Sequence, residues 1–391
     1  LATLKLLNRL SVIFIDRGPG LNVIISRVKT HTKCRLCPQG SLPFSQFEAA
    51  GTRHAPDAGT EDKPRLRAID LARKIKQQRT ETRAQAPPVS AQQKRVMELK
   101  RFSQQLQNVH PNVLAKHLRR SVLYQDKDVV IINKPYGVPV RDDSGATSIS
   151  SVLPVLSKLM DGVKVKSDSQ LLPCLSLDKE TTGALLLART EEALEKILNQ
   201  HRNNQVRRTY WVITVGVPVP SEGLIDIPII EREVTGPQPH FKMALSPLFR
   251  MNDTGDSVIK VRAHRQAQSA ATKYRVLDSS SGCSLVELQP LSGVKHQMRV
   301  HLAFALACPI LGDHKYSHWS KLAPQKLPER VLGRLGLEQS KIRYLPLHLH
   351  ARQLTLPGTS QNDINVSSPL PKYFSQTLSQ LHLKFPDEKE E

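Results

Sequence analysis

Four short stretches of the chain hold side chains able to do chemistry. In LPCLSLDKETTGALLLAR, residues 172–189, Asp178 stands in the polar turn DKETTG ahead of the apolar run 184–188. A carboxylate at the mouth of a strand can be half buried and held by backbone N–H groups, which suits it to nucleophilic attack or general-base work. The same Asp, Thr and Gly composition also makes an ordinary Asx-turn or cap. In RRTYWVITV, Arg208 and Tyr210 enter a strand rich in β-branched and aromatic residues. Tyr210 is either cross-strand packing or a face on which an extruded base stacks. In LSGVKHQMRVH, a helix capped by Ser292 would put Met298, Leu302 and Ala305 on one stripe, with Lys295, His296 and Arg299 on the adjoining arc. From there Arg299 either holds a carboxylate of a neighbouring strand as a bidentate pair or lies on a solvated basic face. In NKPYGVPV, residues 133–140, two prolines and a glycine fix a loop after a strand. Lys134 there either touches phosphate or belongs to a purely structural loop.

Several other chemistries lack their motifs. The chain contains no P-loop, no G-x-G-x-x-G after a strand, no H-E-x-x-H and no G-x-S-x-G. This argues against nucleotide hydrolysis, dinucleotide redox chemistry, zinc proteolysis and an α/β-hydrolase. Cys34 and Cys37 form a C-x-x-C pair, but no second pair of ligands follows at zinc spacing, so no metal is expected. Five cysteines in 391 residues are too few for a disulfide scaffold and favour a reducing compartment. A retaining glycosidase would need a second carboxylate about 5 Å from Asp178. Glu180 and Glu287 are the candidates for it.

The elements that must position these groups read as follows. DVVIIN, RRTYWVITVGVPV and LPLHLHARQLTLP are strands, and ATKYRVLDS with CSLVELQPL forms a strand pair across SSSG. SISSVLPVLSKLM, EEALEKILNQHRNN and the stretch 291–309 read as helices, with 318–345 as a polar insertion. Strands outnumber helices and do not alternate with them. The expected class is α+β, with a mixed, mainly antiparallel sheet flanked by helices.

The net charge of +21 points to a polyanionic partner. Residues 1–120 hold 23 Lys and Arg against 8 Asp and Glu, and so carry +15 of it. Residues 1–35 are basic, acid-poor and open on LATLKLLNRL, the composition of a mitochondrial targeting segment. Residues 36–119 read as a basic, partly disordered or helical extension, including a Pro, Gly, Ala and Ser-rich linker and two polar helices, PRLRAIDLARKIKQQR and AQQKRVMELKRFSQQLQ. The compact domain is expected over 120–385, with a disordered acidic tail at 386–391. No apolar run reaches the roughly 18 residues of a membrane span.

Taken together and in this order, DVVIINKPYGVPV, LDKETTG, the R-x-Y strand start, LQPLSGVKHQMRVH, CPILGDHKYS and LPLHLHARQL resemble the RluA-type pseudouridine synthases, and among them the animal mitochondrial members. The resemblance spans about residues 121–356. It implies the pseudouridine synthase catalytic fold and isomerisation of uridine in rRNA or tRNA, without cofactor or metal. The family's catalytic aspartate matches Asp178. Its active-site tyrosine matches Tyr210, which would stack on the uracil and can help remove the C5 proton. The arginine that pairs with the aspartate matches Arg299, and Leu177 and Leu291 match apolar positions of the pocket. Lys134, Lys179, Arg208, Lys295 and His296 are the candidate RNA contacts. A mitochondrial location follows, with cytoplasm or nucleus as the alternative, and a monomer is favoured.

Two positions depart from the family. Where it reads His-Arg-Leu-Asp, this chain has Leu175, Ser176, Leu177 and Asp178. The missing arginine is the one expected to enter the RNA stack when uridine flips out. Where the family reads Thr-Gly-Arg, this chain has Ser292, Gly293 and Val294. These departures keep a second hypothesis open: a non-catalytic RNA-binding or mitochondrial ribosome-assembly protein on the same fold.

Overall fold

The computed structural model describes residues 69, 73–77 and 90–384, apart from 107–108, 143–146, 162–169, 236–238, 247–248, 252–257, 261–263, 320 and 359–362. The expectations for residues 1–35, for Cys34 and Cys37, for the linker and for the acidic tail lie outside the described residues. Residues 73–77, helical, belong to a separate unit, Val28–Ser90, while Ala91–Glu391 falls in the compact unit that carries the site.

That unit opens with two helices, α1 (Ala91–Gln104) and α2 (Pro111–Arg120). β1 (Val122–Gln125) and β2 (Val129–Lys134) form a hairpin, and α3 (Ile149–Asp161) follows. The two-residue β3 (Leu172–Pro173) and β4 (Thr182–Ala188) flank the turn that holds Asp178. Next come α4 (Glu191–Arg202), β5 (Arg207–Val215) and β6 (Glu222–Asp226). β7 (Ile229–Val234) pairs with β8 (His240–Leu245), and β9 (Phe249–Met251) with β10 (Val258–Lys260). β11 (Ala271–Ser280) and β12 (Cys283–Pro290) pair across a tight turn. The short α5 (Gln297–Val300) runs into a π-helical turn, His301–Ala305. The unit finishes with α6 (Glu329–Leu335), a 3₁₀ turn (Gln339–Tyr344), β13 (Leu349–Pro357), β14 (Asp363–Ser367) and α7 (Lys372–Leu381).

Ten strands make one sheet along the path β1-β2-β4-β13-β5-β12-β11-β6, with β3 beside β4 and β14 beside β13. Its pairings are antiparallel except β4 with β13, which run parallel. The architecture is α+β, a mixed and mainly antiparallel sheet flanked by helices. The parallel junction rests on Gly183. Its φ is +109°, and a Cβ there would lie 2.3 Å from the Ala351 carbonyl oxygen, so the strands can meet only at glycine.

Side chains alternate between the two faces of the sheet, as the two-residue period of a strand requires. On one face Ile132, Leu185, Tyr210, Val212 and Leu288 pack against Leu114 and Leu118 of α2 and Val152 and Leu156 of α3. On the other, Trp211, Ile213 and Leu285 pack against α1, α6 and α7 through Leu99, Val331 and Phe374. Each large apolar side chain fully buried in this way contributes on the order of 1.5–3 kcal/mol.

The structure corrects several expectations. AQQKRVMELKRFSQQLQ, expected as a polar helix of the extension, instead docks on the core: Leu99 is buried, and Phe102 meets the rings of Tyr136 and Tyr373 at 5.2 and 4.7 Å. The compact unit therefore takes in Ala91, not only residues from 120 onward. A single stripe of three-residue spacing, Val96, Leu99 and Phe102, carries that docking and is outnumbered by polar residues. The stretch 318–345 is not simply a polar insertion, because Leu327, Val331, Leu335 and Ile342 join the core. α7 was unexpected, although Tyr373, Phe374, Leu378 and Leu381 have helical spacing.

Candidate active site

Asp178 lies in the loop between β3 and β4, which is closed by a hydrogen bond from the Thr181 N–H to the Asp178 carbonyl (3.0 Å). Lys134, at the end of β2, fixes this loop from beneath. Its Nζ donates to the carbonyls of Lys179 (2.9 Å), Thr181 (2.8 Å) and Pro135 (3.1 Å), and the side chain is fully buried. Burial pushes its ammonium down to about 7, opposed by the charges of Asp178 and Glu180. Of the two readings of Lys134, phosphate contact or structural loop, the geometry fits the second. Its three donors are turned inward onto three backbone acceptors.

Arg299 reaches the loop from α5. It is 4% exposed, and its bidentate partner is not Asp178 but Asp313, in the loop after the π-helical turn. Nε donates to Oδ2 of Asp313 at 2.8 Å and Nη2 to Oδ1 at 2.9 Å. Asp313 also accepts from the backbone N–H groups of Lys315 and Tyr316, both at 3.0 Å. The remaining nitrogen, Nη1, faces two acids of the turn, Glu180 at 3.3 Å and Asp178 at 3.8 Å. The Tyr316 ring closes the arrangement, its centroid 5.1 Å from the guanidinium carbon. Burial would lower the Arg299 pKa, but Asp313 and the two other acids raise it, so the guanidinium stays charged.

The two aspartates respond in opposite directions. Burial would raise Asp313, yet Arg299 and the two N–H donors hold it below the usual carboxylate range. Asp178 ends above that range: burial pushes it up, Arg299 only partly offsets this, and Glu180 adds like-charge repulsion. The Asp178 side chain is nonetheless 29% exposed, so one side of it stays open to a cavity.

That cavity has a volume of about 310 Å³ and is lined by Ser176, Leu177, Asp178, Tyr210, His296 and Arg299, among others. Such a size lies at the lower end of small-molecule sites, about 300–1,000 Å³. Tyr210 sits on β5, opposite Ala351 of β13 and Leu288 of β12, and is 2% exposed. Burial pushes its phenol up, opposed by Arg208, so the hydroxyl keeps its proton at neutral pH. His296 precedes α5 in the left-handed conformation, with φ +55°. Its Nδ1 lies 2.5 Å from the Tyr316 hydroxyl, and burial, with help from Arg299, pushes its imidazole down to about 3. A neutral His296 accepts from that hydroxyl at Nδ1.

The remaining predicted positions fall into two groups. Arg208 and Lys295 line the cavity, Lys295 also meeting Glu231 at 3.1 Å. Leu291 and Lys179 do not line it: Leu291 is 37% exposed, and Lys179 is exposed with only its carbonyl turned inward. Ser292 caps no helix. Its Oγ accepts from the Ala271 N–H and donates to Gln297 Oε1, which braces the turn before α5. Because α5 begins only at Gln297, Lys295 and His296 are loop residues and not a helical arc with Arg299. Glu287 pairs with Arg275 on neighbouring strands, whereas Glu180 shares Arg299 with Asp178. Asp313 and Tyr316 escaped the sequence reading, although both lie in CPILGDHKYS.

Among the described residues, no helix is long and apolar enough to cross a membrane, and no group of three or more His, Cys, Asp or Glu is arranged to hold a metal ion.

Comparison with known proteins bears on this geometry. Residues 128–304 match the family described as RNA pseudouridylate synthase. The chain is 59% identical over 324 residues to the mitochondrial pseudouridylate synthase RPUSD4 of Danio rerio, covering 82% of this chain and 90% of that one. It is 51% identical over 353 residues to the protein of the same name from Homo sapiens, covering 89% of each. The solved structure of human RNA pseudouridylate synthase domain containing 4 is similar over 71% of this chain and 98% of that chain, with a TM-score of 0.63 and 50% identity.

Proposed function

The chain belongs to the RluA-type RNA pseudouridylate synthases and is a mitochondrial RNA pseudouridine synthase, and from that premise we propose that Asp178 is the nucleophile with which it isomerises uridine in mitochondrial rRNA or tRNA. One observation carries this reading. The carboxylate of Asp178 and the guanidinium of Arg299, remote in sequence, meet at 3.8 Å on the wall of a cavity that Tyr210 also lines.

In this reading a uridine leaves the RNA stack, at a cost of a few kcal/mol, and its ring packs on Tyr210 and Leu177. Two routes begin from ionised Asp178. In the acylal route a carboxylate oxygen bonds to C1′ as the C1′–N1 bond breaks, and uracil leaves with the electron pair on N1. In the glycal route Asp178 instead takes the C2′ proton as that bond breaks. Either way the freed uracil turns and C5 bonds to C1′, as the C1′–O bond to Asp178 breaks in the acylal route or as Asp178 returns its proton to C2′ across the C1′=C2′ bond in the glycal route. C5 then loses its proton and N1 gains one, so Asp178 is regenerated and the product is an isomer of the substrate. Arg299 keeps Asp178 ionised and aimed, and Asp313 positions Arg299. Tyr210, with its phenol shifted upward, serves as an aromatic face. Arg208, Lys295 and His296 are the RNA contacts that the cavity retains.

The test is release of tritium from C5-labelled uridine in mitochondrial RNA. Wild-type protein should release it and Asp178→Ala should not. Release by the alanine variant at the wild-type rate would overturn the assignment. Pseudouridine mapping of mitochondrial rRNA and tRNA, with and without Asp178→Ala, reads the RNA class.

A further inference from the structure

Trp319 is 56% exposed, in a chain whose only other tryptophan, Trp211, is buried with the Arg352 guanidinium 5.0 Å from its ring centroid. The loop around Trp319 is held firmly. Lys242 of β8 is 3% exposed, and its Nζ donates to the carbonyls of His318 (2.9 Å) and Lys321 (2.8 Å), on either side of Trp319. A buried ammonium thus fixes the backbone that presents the indole to solvent. The ring leans on Phe304, edge to face, at 4.9 Å.

The surroundings are cationic. Residues 314–328 contain Lys315, Lys321 and Lys326 and no acid. The side chain of His318 is depressed by burial and then by Lys321, Lys242 and Lys326, all positive. The loop also connects to the uridine cavity through a run of rings. His296 on the cavity wall meets Tyr316 at 5.4 Å, Tyr316 meets Phe304 at 6.1 Å, and Phe304 meets Trp319. An exposed aromatic face inside a basic field, rigidly presented, has the features of a stacking surface for single-stranded nucleic acid. An apolar protein partner would be served poorly by so much positive charge.

We propose that Trp319 is a stacking platform for an unpaired base of the bound RNA, outside the cavity that receives the target uridine. The inference rests on the chain being an RNA pseudouridine synthase but not on Asp178 being its nucleophile. An unpaired base on Trp319 would favour substrates in which the target uridine has single-stranded neighbours.

The full chain is titrated with an oligoribonucleotide carrying a uridine in a loop, and affinity and tryptophan emission are followed together. Stacking should quench Trp319 emission in wild type. Trp319→Ala should bind about tenfold more weakly, and Trp319→Phe should lose the quench but keep most of the affinity. Wild-type affinity in Trp319→Ala, as expected if the patch meets a protein, would overturn the proposal, as would unquenched emission at saturation. The titration is repeated with Asp178→Asn. If that variant is inactive while Trp319→Ala binds normally, only the platform fails. If Asp178→Asn stays active, the nucleophile assignment fails and the platform is judged by its binding data alone.

Discussion

Arg299 turns one edge of its guanidinium onto Asp313, at 2.8 and 2.9 Å, and meets Asp178 only with its remaining nitrogen, at 3.8 Å. The strong pair is the structural one, and the loose pair faces the cavity. A carboxylate clamped in a bidentate pair would have to break that pair before attacking anything. Asp178 keeps the electrostatic support of the guanidinium without its full hydrogen bonding, and so can move toward a substrate.

The pH dependence of turnover should reflect this. Asp178 is raised by burial and by Glu180, and as the proposed nucleophile it acts in its ionised form. Activity should therefore fall on acidification at a higher pH than an ordinary carboxylate would give. Glu180→Gln removes a like charge, lowers the Asp178 pKa and should move the acid limb of single-turnover rates to lower pH. A limb that stays in place would separate Glu180 from Asp178.

Asp313→Asn leaves Arg299 without its main partner and should destabilise the fold by roughly 3–5 kcal/mol, read as a lower urea midpoint. Arg299 and the N–H donors hold Asp313 low in the folded state, against its burial. Its contribution is thus present above the unfolded carboxylate pKa and is lost as pH falls through the folded value. The variant should lack that part of the acid-induced loss of stability.

Lys134→Met removes the donor from three backbone carbonyls, of which that of Lys179 keeps the Gly137 N–H, and should cost about 1–3 kcal/mol. Because the ammonium faces inward, the salt dependence of RNA binding should not change. Loss of a phosphate contact would instead reduce the slope of log affinity against log salt by about one.

Ser176 is exposed at the cavity, at the position where the resemblance to the family implies an arginine that enters the RNA stack. Ser176→Arg should raise the rate on uridines within helices more than on uridines already in loops. Equal rates on both substrates, relative to wild type, would remove the flipping argument.

The sequence disclosed the sheet more readily than the site. β2, β4, β5 and β12 are dense in Val, Ile and Leu, and in β2 and β4 the apolar run is continuous because both faces of the strand are buried. Arg299 was legible as a carboxylate partner, but its bidentate acceptor was not. Asp313 lies in a loop whose course depends on a π-helical turn and on Gly312, where a Cβ would meet the Pro346 carbonyl at 2.0 Å. Lys134 misled because a lysine after a strand is usually solvated, and only the fold reveals three carbonyls gathered around it. Leu291 misled because residues 290–292 change direction at the cavity, so its neighbours line the wall while it faces outward.

The parallel contact of Gly183 with Ala351 joins two strands far apart in the order of synthesis, with β5 to β12 made between them. β13 occupies the middle of the sheet, between β4 and β5, so a nascent chain still lacking it has two half-sheets with open edges. Asp178 and Tyr210 emerge from the ribosome early and wait on opposite sides of that gap. Competence therefore waits on β13, and a nascent chain carries exposed strand edges until β13 has emerged, which makes this interval the one in which chaperone protection matters most.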